Sequence, residues 1–152
     1  MDGFVSCLVD IFLQEGLVSA SEAKIMKEEF EGRSKEAFDI FLLSEGLISK
    51  PNLLKSLSKL YDVPYFDVVG YFFDHEILKS FPKDFLLTNS IIPVQLDANV
   101  IIVVASEPDD ENLRLKINEF CGYFVEFRVG LKRDIQSAIR EYYDSSPGRV
   151  KD

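Results

Sequence analysis

A five-residue pattern occurs twice in this chain, 30 positions apart: residues 15–19 read EGLVS and residues 45–49 read EGLIS. A repeat at a fixed spacing indicates one small structural unit that is used twice. The repeat therefore predicts that residues 1–62 contain two copies of the same supersecondary structure.

Each copy has the sequence signals of two helices joined by a glycine turn. In the first copy, a helix over residues 4–15 is expected to stop at Gly16, and Ser19 or Ser21 can cap a second helix that runs to about Phe30. The second copy predicts a helix over residues 34–45, the stop at Gly46, and a helix capped by Ser49. Its expected buried stripe is Leu53, Leu54, Leu57, Leu60 and Tyr61.

From residue 63 onward the pattern changes to short β-type runs that alternate with helices. Strands are predicted over residues 91–96, 100–104 and 123–129, and Pro93 argues that the first of them lies at an edge or starts late. Helices are predicted over 75–80, 82–88, 110–120 and 132–143. The predicted fold class is α/β (α+β), with two N-terminal helical hairpins followed by a small sheet of about three strands packed with helices.

We expect three regions along the chain. Residues 1–62 form the tandem helical-hairpin lobe, residues 63–144 form the α/β lobe of the same domain, and residues 145–152 form a flexible tail of linker composition.

The charge distribution excludes several classes of partner. The net charge of −9 is spread evenly, because residues 1–62 carry eleven acidic and seven basic residues and residues 63–152 carry fifteen and ten. Neither half presents a basic field, so nucleic acid and anionic lipid are not expected partners. Asp2 replaces the basic start of a signal peptide and the apolar runs are short, so we predict a cytoplasmic protein without direct membrane insertion.

The sequence contains no motif for catalysis, a metal or a cofactor. It has neither G-x-x-x-x-G-K-[ST] nor G-x-G-x-x-G, and His75 is its one histidine, expected at the surface. The acidic residues 107 and 109–111 lack the ligand alternation of an EF-hand. Cys7 and Cys121 are expected to be buried free thiols. We therefore predict that the chain is not an enzyme and holds neither metal nor cofactor.

Gly16 and Gly46 have two interpretations. Glycine between helices usually serves as a helix C-cap, but the missing side chain also lets a ligand approach the backbone closely.

Five short segments in order resemble a known family. They are the 46–49 turn with the Leu-rich helix after it, 61–67 (YDVPYFD), 81–82 together with 92–94 (FP and IPV), 103–109 (VVASEPD) and 139–143. They span about residues 5–144 and resemble the N-terminal domain of type II secretion and type IV pilus assembly ATPases, which includes MshEN-like domains.

The resemblance implies a non-catalytic module that docks a motor or a regulator to the cytoplasmic part of an inner-membrane component. The chain would then lie peripheral to that membrane through its partner. The contact surface is expected to be apolar, and burial is the alternative explanation for each candidate. The candidates are Phe12, Phe41, Leu42, Tyr71, Phe72 and Phe73.

The resemblance also implies an alternative function, since some relatives bind cyclic di-GMP through two tandem motifs. Each motif consists of Arg-Leu-Gly, then Gly-Leu-Ile and a Leu-rich helix. This chain keeps the second part, and the alternative nucleotide loops are Gly16 with Leu17 and Gly46 with Leu47. Residues 7–9 (CLV) and 37–39 (AFD) stand where Arg-Leu-Gly is expected, so both arginines are missing.

Overall fold

A computed structural model describes residues 3–31 and 33–145. The chain divides into two compact units, Met1–Asp62 and Val63–Asp152, called the N-terminal and C-terminal lobes below. Residues 146–152 of the predicted tail lie outside the described part.

The N-terminal lobe consists of α1 (Gly3–Gln14), α2 (Ala20–Phe30), α3 (Lys35–Ser44) and α4 (Lys50–Tyr61). Three of these helices begin with the same cap, a serine whose Oγ accepts the backbone N–H three residues later. The caps are Ser19, Ser34 and Ser49, with N···O distances of 3.1, 3.1 and 3.3 Å. Such caps satisfy N–H groups that have no partner inside the helix, which explains why the helices begin there.

The core of this lobe is organised around α1, which contacts α2, α3 and α4. Leu53, Leu54 and Leu57 of α4 are buried as predicted. Leu60 and Tyr61 are only half-buried, and Ser56 is buried instead.

The C-terminal lobe contains a three-stranded mixed sheet and four helices among its described residues. In chain order these elements are α5 (His75–Leu78), α6 (Lys83–Asn89), β1 (Ile91–Asp97), β2 (Val100–Ala105), α7 (Leu113–Asn118), β3 (Phe124–Val129) and α8 (Lys132–Ser145). The strand order is β1-β2-β3, with β1 antiparallel and β3 parallel to β2. The predicted fold class is confirmed.

Strand β2 lies at the centre of the sheet, and Pro93 lies on the edge strand β1, as expected from its missing N–H. A β-bulge interrupts the β1–β2 register between Pro93 and Gln95. On β2, Val103 and Val104 are fully buried, and α8 contributes the fully buried Ile135 and Ile139 to the same core.

Helix α7 begins three residues later than predicted. The Asp110 carboxylate accepts the backbone N–H of Asn112 at 3.0 Å, which holds this stretch in a turn. Aspartate competes with helical hydrogen bonding in this way, and sequence periodicity does not detect it.

Asp39 is the one charged residue among the buried residues of the described chain, with 5% of its surface exposed on α3. Its Oδ1 atom has no hydrogen-bond partner within the described residues. Burial raises the pKa of this carboxyl to about 7, the charge of Lys35 lowers it, and that of Glu36 raises it. The lobe therefore keeps a carboxyl that is hard to ionise in its core.

Gly130 follows directly after β3 and is closely packed. A Cβ at this position would lie 2.7 Å from Val104 Cγ1 and 3.2 Å from the Phe66 carbonyl oxygen. We expect Gly130→Ala to lower the free energy of unfolding by about 1–3 kcal/mol, as measured by urea unfolding. Gly122→Ala is the matched control, since nothing lies within 4 Å of a Cβ at that position. Equal losses in both variants would contradict the close packing.

The raised pKa of Asp39 predicts that the free energy of unfolding decreases as pH rises. The carboxyl ionises near 3.8 when unfolded and near 7 when folded, so the folded state binds more protons between these values. The contribution of Asp39 to the free energy of unfolding is fully present below about pH 4. It falls by about 1.4 kcal/mol per pH unit as pH rises towards 7. Asp39→Asn should remove this loss, so that the variant is more stable than the native chain at pH 8 and similar at pH 4.

Urea unfolding at pH 4, 6 and 8 measures the difference between the variant and the native chain. Asp109→Asn, at an exposed position, is the control and should follow the native pH dependence. A constant difference between Asp39→Asn and the native chain at all three pH values would show that Asp39 ionises normally.

Candidate functional site

The two glycine turns of the N-terminal lobe have the same backbone geometry. Gly16 has φ 72° and Gly46 has φ 68°. Leu17 N–H donates to Phe12 O at 2.9 Å and Gly16 N–H to Leu13 O at 3.1 Å. The second turn repeats this pattern, from residues 47 and 46 to residues 42 and 43, at 3.0 and 3.2 Å. Both turns are Schellman motifs, which end a helix and require a left-handed residue.

Helix termination is therefore a sufficient reason for glycine at both positions. Nothing lies within 4 Å of a Cβ built on Gly16 or Gly46, so the space over both turns is open. Leu17 is half-buried and Leu47 is 41% exposed.

The positions where Arg-Leu-Gly is expected belong largely to the core. Leu8, Val9 and Phe38 are fully buried, and Asp39 is nearly so. Cys7 is exposed, which corrects the prediction of a buried thiol: its place on α1 faces away from the core that Leu8 and Val9 enter.

A small cleft of about 190 Å³ lies beside the first glycine turn. Leu17, Lys55 and Lys59 contribute to its lining. Lys59 forms an ion pair with Glu15, which also lines the cleft. Lys55 has no ion-pair partner among the described residues. It is the cation of this cleft that remains available to an anion.

In the C-terminal lobe, the first and last residues of the aromatic run 71–73 pack against neighbouring residues. The Tyr71 hydroxyl donates to Val94 O at 2.7 Å. The Tyr71 ring packs edge-on against Phe66 and Phe73, with centroid distances of 5.1 and 5.0 Å. Tyr71 and Phe73 are thus half-buried, while Phe72 between them is 98% exposed.

The segment before this run is attached to β3. Phe66 N–H donates to Val129 O, and Val129 N–H donates to Pro64 O, both at 2.9 Å. Within residues 64–68, Tyr65 forms an isolated β-bridge with Val129.

Two predicted contact residues are corrected by their burial. Phe12 and Leu42 are both fully buried in the N-terminal lobe, because their helices turn these positions into the core. Phe41 is half-buried and packs on Phe30 with a centroid distance of 4.5 Å. Sequence reasoning missed Val69, which is 62% exposed two residues after the Asp67 carboxylate that accepts its N–H.

Metal-ligating residues do not cluster in the described part of the chain. No group of three or more His, Cys, Asp or Glu there could hold a metal ion. His75 is exposed as predicted, and its Nδ1 lies 2.8 Å from the Tyr142 hydroxyl. Across residues 3–31 and 33–145, every helix is too short or too polar to span a bilayer.

One curated protein with sequence similarity is the type IV pilus assembly ATPase PilB of Myxococcus xanthus. It is 24% identical over 145 residues, which cover 95% of this chain and 25% of PilB. The chain thus spans about a quarter of the length of this relative.

Solved structures share the fold. The structure of MshE with cdg has a TM-score of 0.66 and 21% identity, covering 90% of this chain and 98% of that one. The N-terminal domain of XpsE has a TM-score of 0.57 and 15% identity, covering 89% and 92%.

The profile of the MshEN domain matches residues 61–149, which is more than half of the chain. Together with the similarity to PilB, MshE and XpsE, this confirms the resemblance to the N-terminal domains of pilus and secretion ATPases. The chain belongs to the MshEN domain family.

Proposed function

We propose that the chain is a non-catalytic docking module that links a motor or a regulator to the cytoplasmic part of an inner-membrane component of a pilus or secretion machine. The observation that carries the proposal is Phe72, a fully exposed aromatic ring on an anchored segment. Aromatic side chains at fixed positions supply much of the binding energy of protein interfaces. The similarity to PilB supports a place in such a machine.

In this proposal the chain works on the cytoplasmic side and reaches the membrane only through its partner. The net charge of −9 repels anionic lipid headgroups, so direct adsorption to the membrane surface would be unfavourable.

A second candidate function is the binding of cyclic di-GMP. Three observations favour it: the fold match to MshE with cdg, the two open glycine turns, and Lys55 in the cleft beside the first turn. Against it stand the missing arginines and the buried Asp39. Each lost hydrogen bond to a charged group weakens binding by about 1.5–3 kcal/mol, so two losses amount to about a hundredfold or more.

The docking function predicts direct binding between the purified chain and the cytoplasmic fragment of an inner-membrane component from the same organism's pilus or secretion machine. Biolayer interferometry should detect a Kd of about 10 μM or tighter. Phe72→Ser should weaken this binding at least about tenfold, whereas Phe124→Ser, at a position 71% exposed on β3, should not.

Absence of binding to all such fragments would refute the docking function. Binding that Phe72→Ser leaves unchanged would support docking and refute the assignment of Phe72.

Calorimetry tests the nucleotide alternative, which requires saturable binding of cyclic di-GMP. Because the arginines are absent, we expect no saturable heat with cyclic di-GMP up to about 1 mM, and none with ATP as the control ligand. Micromolar binding of cyclic di-GMP would overturn this expectation. In that case Lys55→Ala should weaken it if the cleft is the site, and Lys24→Ala, at an exposed position of α2, should have no effect.

A further inference from the structure

An open groove of about 630 Å³ lies within the C-terminal lobe, between residues 68–73 and one face of α8. Its lining includes Val69, Phe72, Asp134, Ser137, Glu141 and Tyr142. Val69 and Phe72 are largely exposed, so one wall carries an apolar rim.

The apolar wall is held in a fixed shape. Tyr71 N–H donates to Val68 O at 3.2 Å, and Gly70 has φ 79°, which is the geometry of a type II turn. The inward anchors of Tyr71 and Phe73 force Phe72 to the opposite side of the extended backbone. An aromatic ring presented in this way loses little conformational freedom when it binds.

The opposite wall is acidic. Positions 134, 137, 138, 141 and 142 line the groove, which is the spacing of one helix face. Both charged residues of this face are carboxylates, Asp134 and Glu141. The basic residues of α8 do not line the groove; they are Lys132, Arg133 and Arg140.

Glu141 is the carboxylate best placed to bind a cation. It is exposed, and it forms no ion pair among the described residues. The neighbouring Asp144 differs, because Lys83 pairs with it at 2.7 Å. The groove thus combines an apolar rim with an exposed carboxylate that pairs with no cation among residues 3–31 and 33–145.

We propose that this groove is the docking surface, and that its occupant is an amphipathic segment of a partner protein with basic residues beside an apolar face. The proposal rests on the docking function above and specifies its chemistry. Phe72 and Val69 contact the apolar face of the segment, and Glu141 pairs with a lysine or arginine.

Charge separates this occupant from others. A second copy of the chain would bring another net charge of −9 towards an acidic wall. An anionic lipid or a nucleotide would place phosphate against Asp134 and Glu141. Each of these pairings costs free energy, whereas a basic segment gains it.

A pair of synthetic peptides tests the proposal on the whole chain. Both are amphipathic helices of about 18 residues, or five turns, with a leucine face; one carries lysines on its polar face and the other glutamates. Fluorescence anisotropy should show that the lysine peptide binds at least about tenfold more tightly than the glutamate peptide.

Four variants locate the binding. Phe72→Ser should weaken the lysine peptide at least about tenfold, and Glu141→Lys at least about fivefold. Phe124→Ser and Glu111→Lys make the same chemical changes at exposed positions outside the groove and should have no effect. Glu111→Lys also corrects for the general attraction between a basic peptide and an acidic protein.

The same variants separate the groove from the docking function. If a membrane-component fragment binds and both Phe72→Ser and Glu141→Lys weaken it, the groove is supported. If the fragment binds and neither variant matters, the groove is refuted while docking stands. If the glutamate peptide binds as tightly as the lysine peptide, or Glu111→Lys weakens binding as much as Glu141→Lys, the charge complementarity is refuted.

Discussion

The fold of the C-terminal lobe depends on the pairing of β2 with β1 on one side and β3 on the other. This strand is hydrogen-bonded to β1 and β3 and contributes four buried residues to the core, Ile101, Val103, Val104 and Ala105. The segment that carries Phe72 depends on the same sheet, since Phe66 bonds to the end of β3 and Tyr71 bonds to β1. The segment that carries the exposed ring is therefore tied to the sheet by one backbone hydrogen bond and one tyrosine hydroxyl hydrogen bond.

The N-terminal lobe could be predicted closely because its signals are local. The 30-residue repeat, the glycine stops and the serine caps each act within one or two helical turns, and Schellman turns and caps appear where they were expected. Burial was harder to predict. Phe12 and Leu42 looked like surface candidates but are core residues, because helical periodicity alone does not say which face meets the neighbouring helices.

The sequence also does not reveal which residue of the aromatic run 71–73 is exposed. Three adjacent aromatics read alike in the sequence, yet Tyr71 and Phe73 find ring and carbonyl partners and Phe72 does not. The carbonyl partner, Val94, lies 23 residues after Tyr71 in the chain. The acidic wall of the groove was also missed; the detectable signal was the segregation of carboxylates at positions 134 and 141 on one face of α8.

The N-terminal lobe has two glycine turns of the same geometry, and most of the positions at which an Arg-Leu-Gly motif was expected serve its core. Leu8, Val9 and Phe38 fill the interior, and Asp39 joins them at the position of the expected second motif glycine. The two arginine positions differ, because Cys7 is exposed and Ala37 is half-buried, so core packing does not account for the missing arginines. The two glycines are needed to end the helices, because a Schellman turn requires a left-handed residue whether or not a ligand binds.

The exposure of Phe72 has a consequence for how such domains diverge. Its ring contributes almost nothing to the core, whereas Tyr71 and Phe73 on either side hold the segment in place. Selection can therefore replace residue 72, and the exposed Val69 before it, with little loss of folding stability. Under the docking function proposed above, changes at these two positions would alter the choice of partner while the scaffold stays constant.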